Sequence, residues 1–206
     1  MRHHIFLGSA LLFATAICGT ASAQLTLSYI SGNTSAASGT GESFTPADAG
    51  SFPTASAFLT QMTFETPSSV SFNRGLATYL DIYSNSALTA YVGSSTNSQS
   101  WEAGDSLQTK TWSFAALELD KSTTYYAAFS ADPITGSVVN REIEIYGSNP
   151  YSGGALIYNS NLTPSLDANF SATFNPSAVP EPSTDAAFAG LATLGLVALR
   201  RRRLGG

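Results

Sequence analysis

The chain of 206 residues has one cysteine, Cys18, two histidines, His3 and His4, and little charge, with nine Lys/Arg against fourteen Asp/Glu. All three of the Cys and His residues lie within the first eighteen positions. Everything downstream is therefore without disulfides, without Ser-His-Asp or Cys-His catalysis, and without zinc or copper sites built on imidazole or thiolate. No H-E-x-x-H motif or Walker loop occurs, and no glycine-rich turn follows a strand and opens a helix, so proteolysis on zinc and nucleotide chemistry lack their residues. Between residues 24 and 177 the only cations are Arg74, Lys110, Lys121 and Arg141, against twelve carboxylates, a net charge of −8. A surface of that sign has no basic stripe with which to release counterions from phosphates, and nucleic acid is not expected as a partner. No internal repeat is visible, which argues against a propeller or solenoid.

What is present is concentrated first at the two ends. Residues 1–23 combine Arg2, an apolar stretch from Ile5 to Cys18 and the small-x-small site Ala21-Ser22-Ala23, the pattern of a secretory signal peptide cleaved before Gln24. A lipidated Cys18 is the rival reading, and Ile17 disfavours it because it stands where a small side chain is needed. At the other end Pro180, Glu181 and Pro182 precede an apolar run, Ala186 to Leu199, and then Arg200, Arg201, Arg202 and Arg203. Four adjacent arginines stay on the cytoplasmic side of a bilayer and place the preceding chain outside. The fourteen residues of the run rise only about 21 Å as a helix, against a hydrocarbon core of about 30 Å. A transmembrane helix there, about residues 184–199, spans only with help from its flanks, as suits a transient stop-transfer element. The alternative on hydropathy alone is a permanent C-terminal membrane helix.

In each of its three parts this tail, residues 178–206, resembles the PEP-CTERM sorting signal of exopolysaccharide-producing Gram-negative bacteria. The resemblance implies cleavage near Pro180-Glu181-Pro182 by an exosortase-type processing enzyme. It also implies transient anchoring in the inner membrane, and delivery to the cell surface or extracellular matrix. Thr78 to Ser130 is loosely similar to extracellular sandwich domains found ahead of such tails, and that similarity identifies no functional residue.

Between the ends, residues 24–177 read as one domain, long enough to bury a sizeable core. Period-two alternation predicts strands at Leu25–Ile30, around Phe58–Phe64 with Phe58, Met62 and Phe64 in phase, at Leu76–Tyr83, Leu88–Val92, Thr111–Phe114, Thr123–Ser130, Val138–Tyr146, Ala155–Tyr158 and Asn169–Phe174. Pro-, Gly- and Asn-containing turns separate them. Ser31–Ser56, rich in Ser, Gly, Thr and Ala, reads as a long irregular loop. Nine short strands without an amphipathic helix predict an all-β antiparallel β-sandwich of jelly-roll type, with the C-terminal transmembrane helix in addition.

Candidate chemistry is sparse. Glu142 and Glu144 alternate with Ile143 and Ile145, which puts both carboxylates on one face about 7 Å apart; a strand with one wet face explains them better than a glycosidase pair. Glu118 and Asp120 read the same way. No D-x-D-x-D-G loop occurs, and neither a metal site nor a cofactor is expected. Trp112, in phase with Phe114, belongs to the core. Trp101 lies in a polar stretch without alternating neighbours and either plugs the end of the core or faces solvent. In the latter case it forms, with Tyr146 and Tyr151 around Asn149-Pro150, a candidate carbohydrate contact through ring stacking. The sequence thus favours an exported, noncatalytic structural or adhesive protein of the polysaccharide matrix. A lectin-like carbohydrate-binding module is the alternative, and a carboxylate-based glycan enzyme comes a distant third.

Overall fold

The computed structural model describes residues 23–30, 34–70, 74–133 and 137–176. Of the expected leader, residues 1–23, only Ala23 is among the described residues, and the sorting tail with its expected transmembrane helix lies outside them. Within them every sheet is antiparallel, and no helix is long and apolar enough to cross a membrane. The all-β expectation holds for this region; the jelly-roll connectivity is not confirmed by the strand orders observed.

A four-stranded sheet, in the order β1-β13-β4-β7, is built from β1 (Leu25–Tyr29), β13 (Phe170–Asn175), β4 (Ser56–Glu65) and β7 (Thr109–Asp120). Facing it is a six-stranded sheet, β11-β10-β3-β8-β5-β6. Its strands are β11 (Asn161–Thr163), β10 (Leu156–Tyr158), β3 (Gly41–Phe44), β8 (Tyr125–Ser130), β5 (Tyr79–Tyr83) and β6 (Tyr91–Ser94). A smaller sheet, β12-β9-β2, contains β12 (Asp167–Ala168), β9 (Arg141–Tyr146) and β2 (Thr34–Gly39). Aromatic rings join the layers: Phe64 of β4 lies edge-on to Phe129 of β8 at 4.9 Å between centroids, and Phe44 of β3 approaches Phe174 of β13 at 6.0 Å. Apolar area removed from water, at about 25 cal/mol per Å², is the main driving force for a chain without disulfides.

Two strands change partners midway. Thr40 separates β2, paired with β9, from β3, paired with β8 and β10. Its backbone donates to the Ile157 carbonyl at 2.7 Å and accepts from the Phe129 amide at 2.8 Å, so no ladder group is wasted at the switch. Gly41 makes this possible, because a Cβ there would meet the Ala127 carbonyl oxygen at 1.8 Å. Asn169 performs the same switch between β12, on β9, and β13, on β4. The segment read as an irregular loop therefore holds β2, β3 and the short 3-10 helix Pro46–Ala49. Its small residues are needed for close approach: a Cβ on Gly39 would sit 2.6 Å from Ile143 Cδ1.

A bulge corrects the phase expected for β4. Leu59 pairs with Phe174 of β13 but Gln61 pairs with Thr173, so Thr60 is one extra residue in β4; against β7 the excess lies on the other strand, Leu59 pairing with Leu117 and Gln61 with Ser113. The buried set is consequently Ala57 and Leu59 before the bulge and Met62 and Phe64 after it, and Phe58 is only half-buried. One inserted residue flips every side chain beyond it, which strict alternation cannot show. Ala116, in the stretch of β7 between Ser113 and Leu117 that carries the excess there, adopts φ 50°, the left-handed region seldom used by alanine.

Candidate functional site

Three polar constellations stand out against this core. The first lies at the end of the sandwich where β8 finishes. Trp101 is 1% exposed and packs at 5.7 Å from Trp112 and 5.5 Å from Phe129. Its indole N–H donates to the Glu142 carbonyl at 2.6 Å. Over its face, 5.9 Å from the ring centroid, sits the Arg141 guanidinium, a cation–π arrangement. Arg141 Nε donates to Thr78 Oγ1 at 2.6 Å and Nη1 to the Asn140 carbonyl at 3.0 Å. The residue is 2% exposed, and burial pulls its pKa below the ordinary arginine value. It borders an open groove of about 540 Å³ whose other lining residues are Leu76, Ala77, Ala131, Val139 and Asn140.

A second constellation is an acid knot where β3, β10 and β12 meet. Glu42 is fully buried; its carboxylate accepts from the Ser43 amide at 3.0 Å and the Ala168 amide at 2.8 Å. Burial raises its pKa well above the carboxylate range, with the neighbouring Asp167 adding to the rise against those amides. Asp167, also fully buried, accepts from the Tyr151 amide at 2.7 Å through Oδ2, and burial raises its pKa too. Asp167 Oδ1 and Asn169 Oδ1 have no hydrogen-bond partner among the described residues. Beside them Tyr151 donates to Asp48 Oδ2 at 2.7 Å and accepts from the Thr45 amide at 2.9 Å. Burial, then the Asp48 hydrogen bond, pushes the phenol upward.

The third is Asp81 on β5, buried and raised by that burial, with the Tyr83 hydroxyl donating to Oδ2 at 3.3 Å. Burial first, then the Asp81 charge, pushes the Tyr83 phenol up to about 12. Among the described residues no group of three or more His, Cys, Asp or Glu is placed to hold a metal ion.

The residues singled out by sequence are not brought together as a stacking surface. Trp101 plugs the core end. Tyr151 is 2% exposed, stacked on Tyr29 at 5.0 Å, and Tyr146 is half-buried beside Glu65 and Asp167, which raise its phenol after burial does. Glu142 and Glu144 are 8% and 4% exposed, so the expected wet face of β9 is covered. Glu118 and Asp120 are exposed as expected; Glu118 accepts from Ser56 Oγ at 2.6 Å. Trp112 is fully buried, in keeping with its phase. Sequence reasoning missed Glu42, Asp167 and Arg141. Only Arg141 left a signal, as one of four cations in a domain otherwise built from acids.

Taken together, fold and sites define an all-β domain with a polar-knotted interior, whose last strand among the described residues, β13, stops at Asn175, three residues before the tail begins. Residues 178–203 of that tail match the family profile described as the PEP-CTERM protein-sorting motif. The chain carries that motif, which implies export, processing by an exosortase and sorting to the surface. No curated protein matches the chain.

Proposed function

We propose that the chain is a noncatalytic structural or adhesive component of the extracellular polysaccharide matrix, displayed after processing. In this reading residues 1–23 are removed as a leader, residues 24–177 are the displayed domain, and cleavage near Pro180, Glu181 and Pro182 releases it from the 184–199 helix. Arg200 to Arg203 hold that helix in the inner membrane until then. The observation that carries the reading is the sorting motif, and the geometry of the chain ends supports it. Leu25 of β1 pairs with Phe174 of β13, so the mature N-terminus and the start of the tail leave from the same end of one sheet. Four residues separate Asn175 from Pro180, so the cleavage motif begins within at most about 18 Å of the end of β13. Phe174 is fully buried and its partner Leu25 partly so, which holds this end of the sheet in the domain when the tail is cut.

Mass spectrometry of surface-located protein tests the processing step. The expected C-terminus lies near Pro180, and an intact Arg200–Arg203 cluster on surface protein would sink the proposal. Replacing Pro180, Glu181 and Pro182 by alanine is expected to leave the whole tail on membrane-retained protein. For the matrix role, deletion of the coding sequence is expected to lower polysaccharide retention at the cell surface, and unchanged retention would count against it. The lectin alternative loses its anchor ring with Trp101 in the core.

A further inference from the structure

Arginine cannot shed its charge at any ordinary pH, so a buried guanidinium must find acceptors or an anion. Of the five N–H groups of Arg141, those on Nε and one on Nη1 are used, by Thr78 Oγ1 and the Asn140 carbonyl. Its underside rests on the Trp101 ring. Nη2 has no acceptor among the described residues, and none of their carboxylates lies within ion-pair distance of the group. The contrast with the domain's other cations is direct: Lys110 pairs with Asp105 at 2.8 Å, Arg74 is exposed and donates to the Val70 carbonyl, and Lys121 donates to the Phe52 carbonyl at 3.3 Å. Arg141 alone combines burial, absence of a counter-charge and a place on a groove wall.

The rest of that wall is small and apolar, Leu76, Ala77, Ala131 and Val139, with the polar Asn140 beside the arginine. A volume of about 540 Å³ falls in the range of small-molecule sites, which are mostly apolar with a few fixed polar groups. We infer that this groove is a binding site for a small carboxylate with an apolar body, the carboxylate on the free edge of the Arg141 fork and the body against Leu76, Ala131 and Val139. A planar fork with a vacant edge selects carboxylate over amide, because two parallel charge-assisted hydrogen bonds form only with the anion. The groove also lies at the end of the sandwich opposite to the one where β13 stops. It follows the Ser130 end of β8, next to the Phe64–Phe129 contact, whereas β13 ends beyond Phe174 at the far end of its sheet.

Calorimetric titration of the full chain with benzoate, and with the neutral isostere benzamide, tests this. Benzoate is expected to bind about tenfold or more tightly than benzamide, to weaken as salt is raised, and to change the tryptophan emission through the contact with Trp101. Arg141→Lys, which keeps the charge and loses the fork, is expected to reduce benzoate affinity by about tenfold. Leu76 is 53% exposed, so Leu76→Asp leaves folding intact while putting a competing carboxylate beside the arginine; benzoate binding is then lost. If Arg141→Lys does not fold, Leu76→Asp decides alone. Equal affinity for benzoate and benzamide, no saturable binding of either, or unchanged benzoate binding in Leu76→Asp would each overturn the assignment.

Discussion

The acid knot around Glu42 and the arginine above Trp101 are two answers to one problem, the cost of placing ionisable groups inside a β core. Glu42 and Asp167 are each fully buried, and both carboxyls are raised, so a proton can neutralise them from within. Arg141 is nearly as buried and has no such exit; its charge is met by a hydroxyl, a carbonyl and a π face. The difference teaches where to look for external partners. A buried acid that takes up a proton is self-sufficient, and a buried guanidinium with an open edge is not.

Experiments can separate the two regions, beginning with the largest effect. Trp101→Ala removes the platform under Arg141 and the ring that joins Trp112 to Phe129. A loss of about 3–5 kcal/mol of unfolding free energy is expected, from the cost of truncating a buried aromatic; a loss below about 1 kcal/mol in urea titration would show that Trp101 is not a core residue. In the acid region, Tyr151→Phe leaves Asp48 Oδ2 without its hydroxyl donor and the Thr45 amide without its acceptor. The expected cost is about 1–3 kcal/mol, typical of breaking a buried polar pair on one side.

Acidity should act on the knot more than on the arginine. For Glu42, Asp81 and Asp167 the folded pKa lies above the unfolded one. Their stabilising effect is full below the unfolded carboxylate value and is lost as pH rises through the raised folded values. Each group can contribute a slope of at most about 1.4 kcal/mol per pH unit in that window. Asp105 runs the other way. Burial pushes its carboxyl up, but Lys110 and the Glu102 amide outweigh that and hold it below the ordinary value, so its contribution is present above the unfolded value and lost as pH falls. Thermal unfolding from pH 4 to 8 is therefore expected to show stability declining toward neutral pH, with a shallower decline in Asp167→Asn. An identical slope in the two proteins would remove Asp167 from the account. The smallest effect is expected for Tyr146→Ala. Its ring is half-buried at the rim of the knot, and a change near 0.5–1 kcal/mol by chemical denaturation would fit a partly exposed side chain.

Much of this architecture is readable locally. β1 and β13 follow the alternation at Leu25–Tyr29 and Phe170–Asn175, because each has one face on the core; β8, Tyr125–Ser130, is buried on both faces from Ala127 onward. The Thr60 bulge breaks that rule inside β4, and a single inserted residue has no composition of its own. β2 and β3 are hidden for another reason: their Ala, Ser and Gly residues carry little apolar signal, and what they supply is closeness, to Ile143 and to the Ala127 carbonyl. Glu142 and Glu144 look solvated in a list of residues, yet packing around β9 covers them.

By itself the sequence determined the address and the chemical exclusions. The proline-framed glutamate, apolar run and arginines of the tail are contiguous, and the want of histidine and cysteine beyond residue 18 needs no geometry to interpret. Only the tertiary structure decided which charges are buried and which aromatic ring faces water. Arg141 meets Trp101 and Thr78 across 40 and 63 positions of chain, and Glu42 meets Ala168 across 126. Burial is a property of what the rest of the chain brings to a residue, and such long-range encounters leave no mark on the local pattern around it.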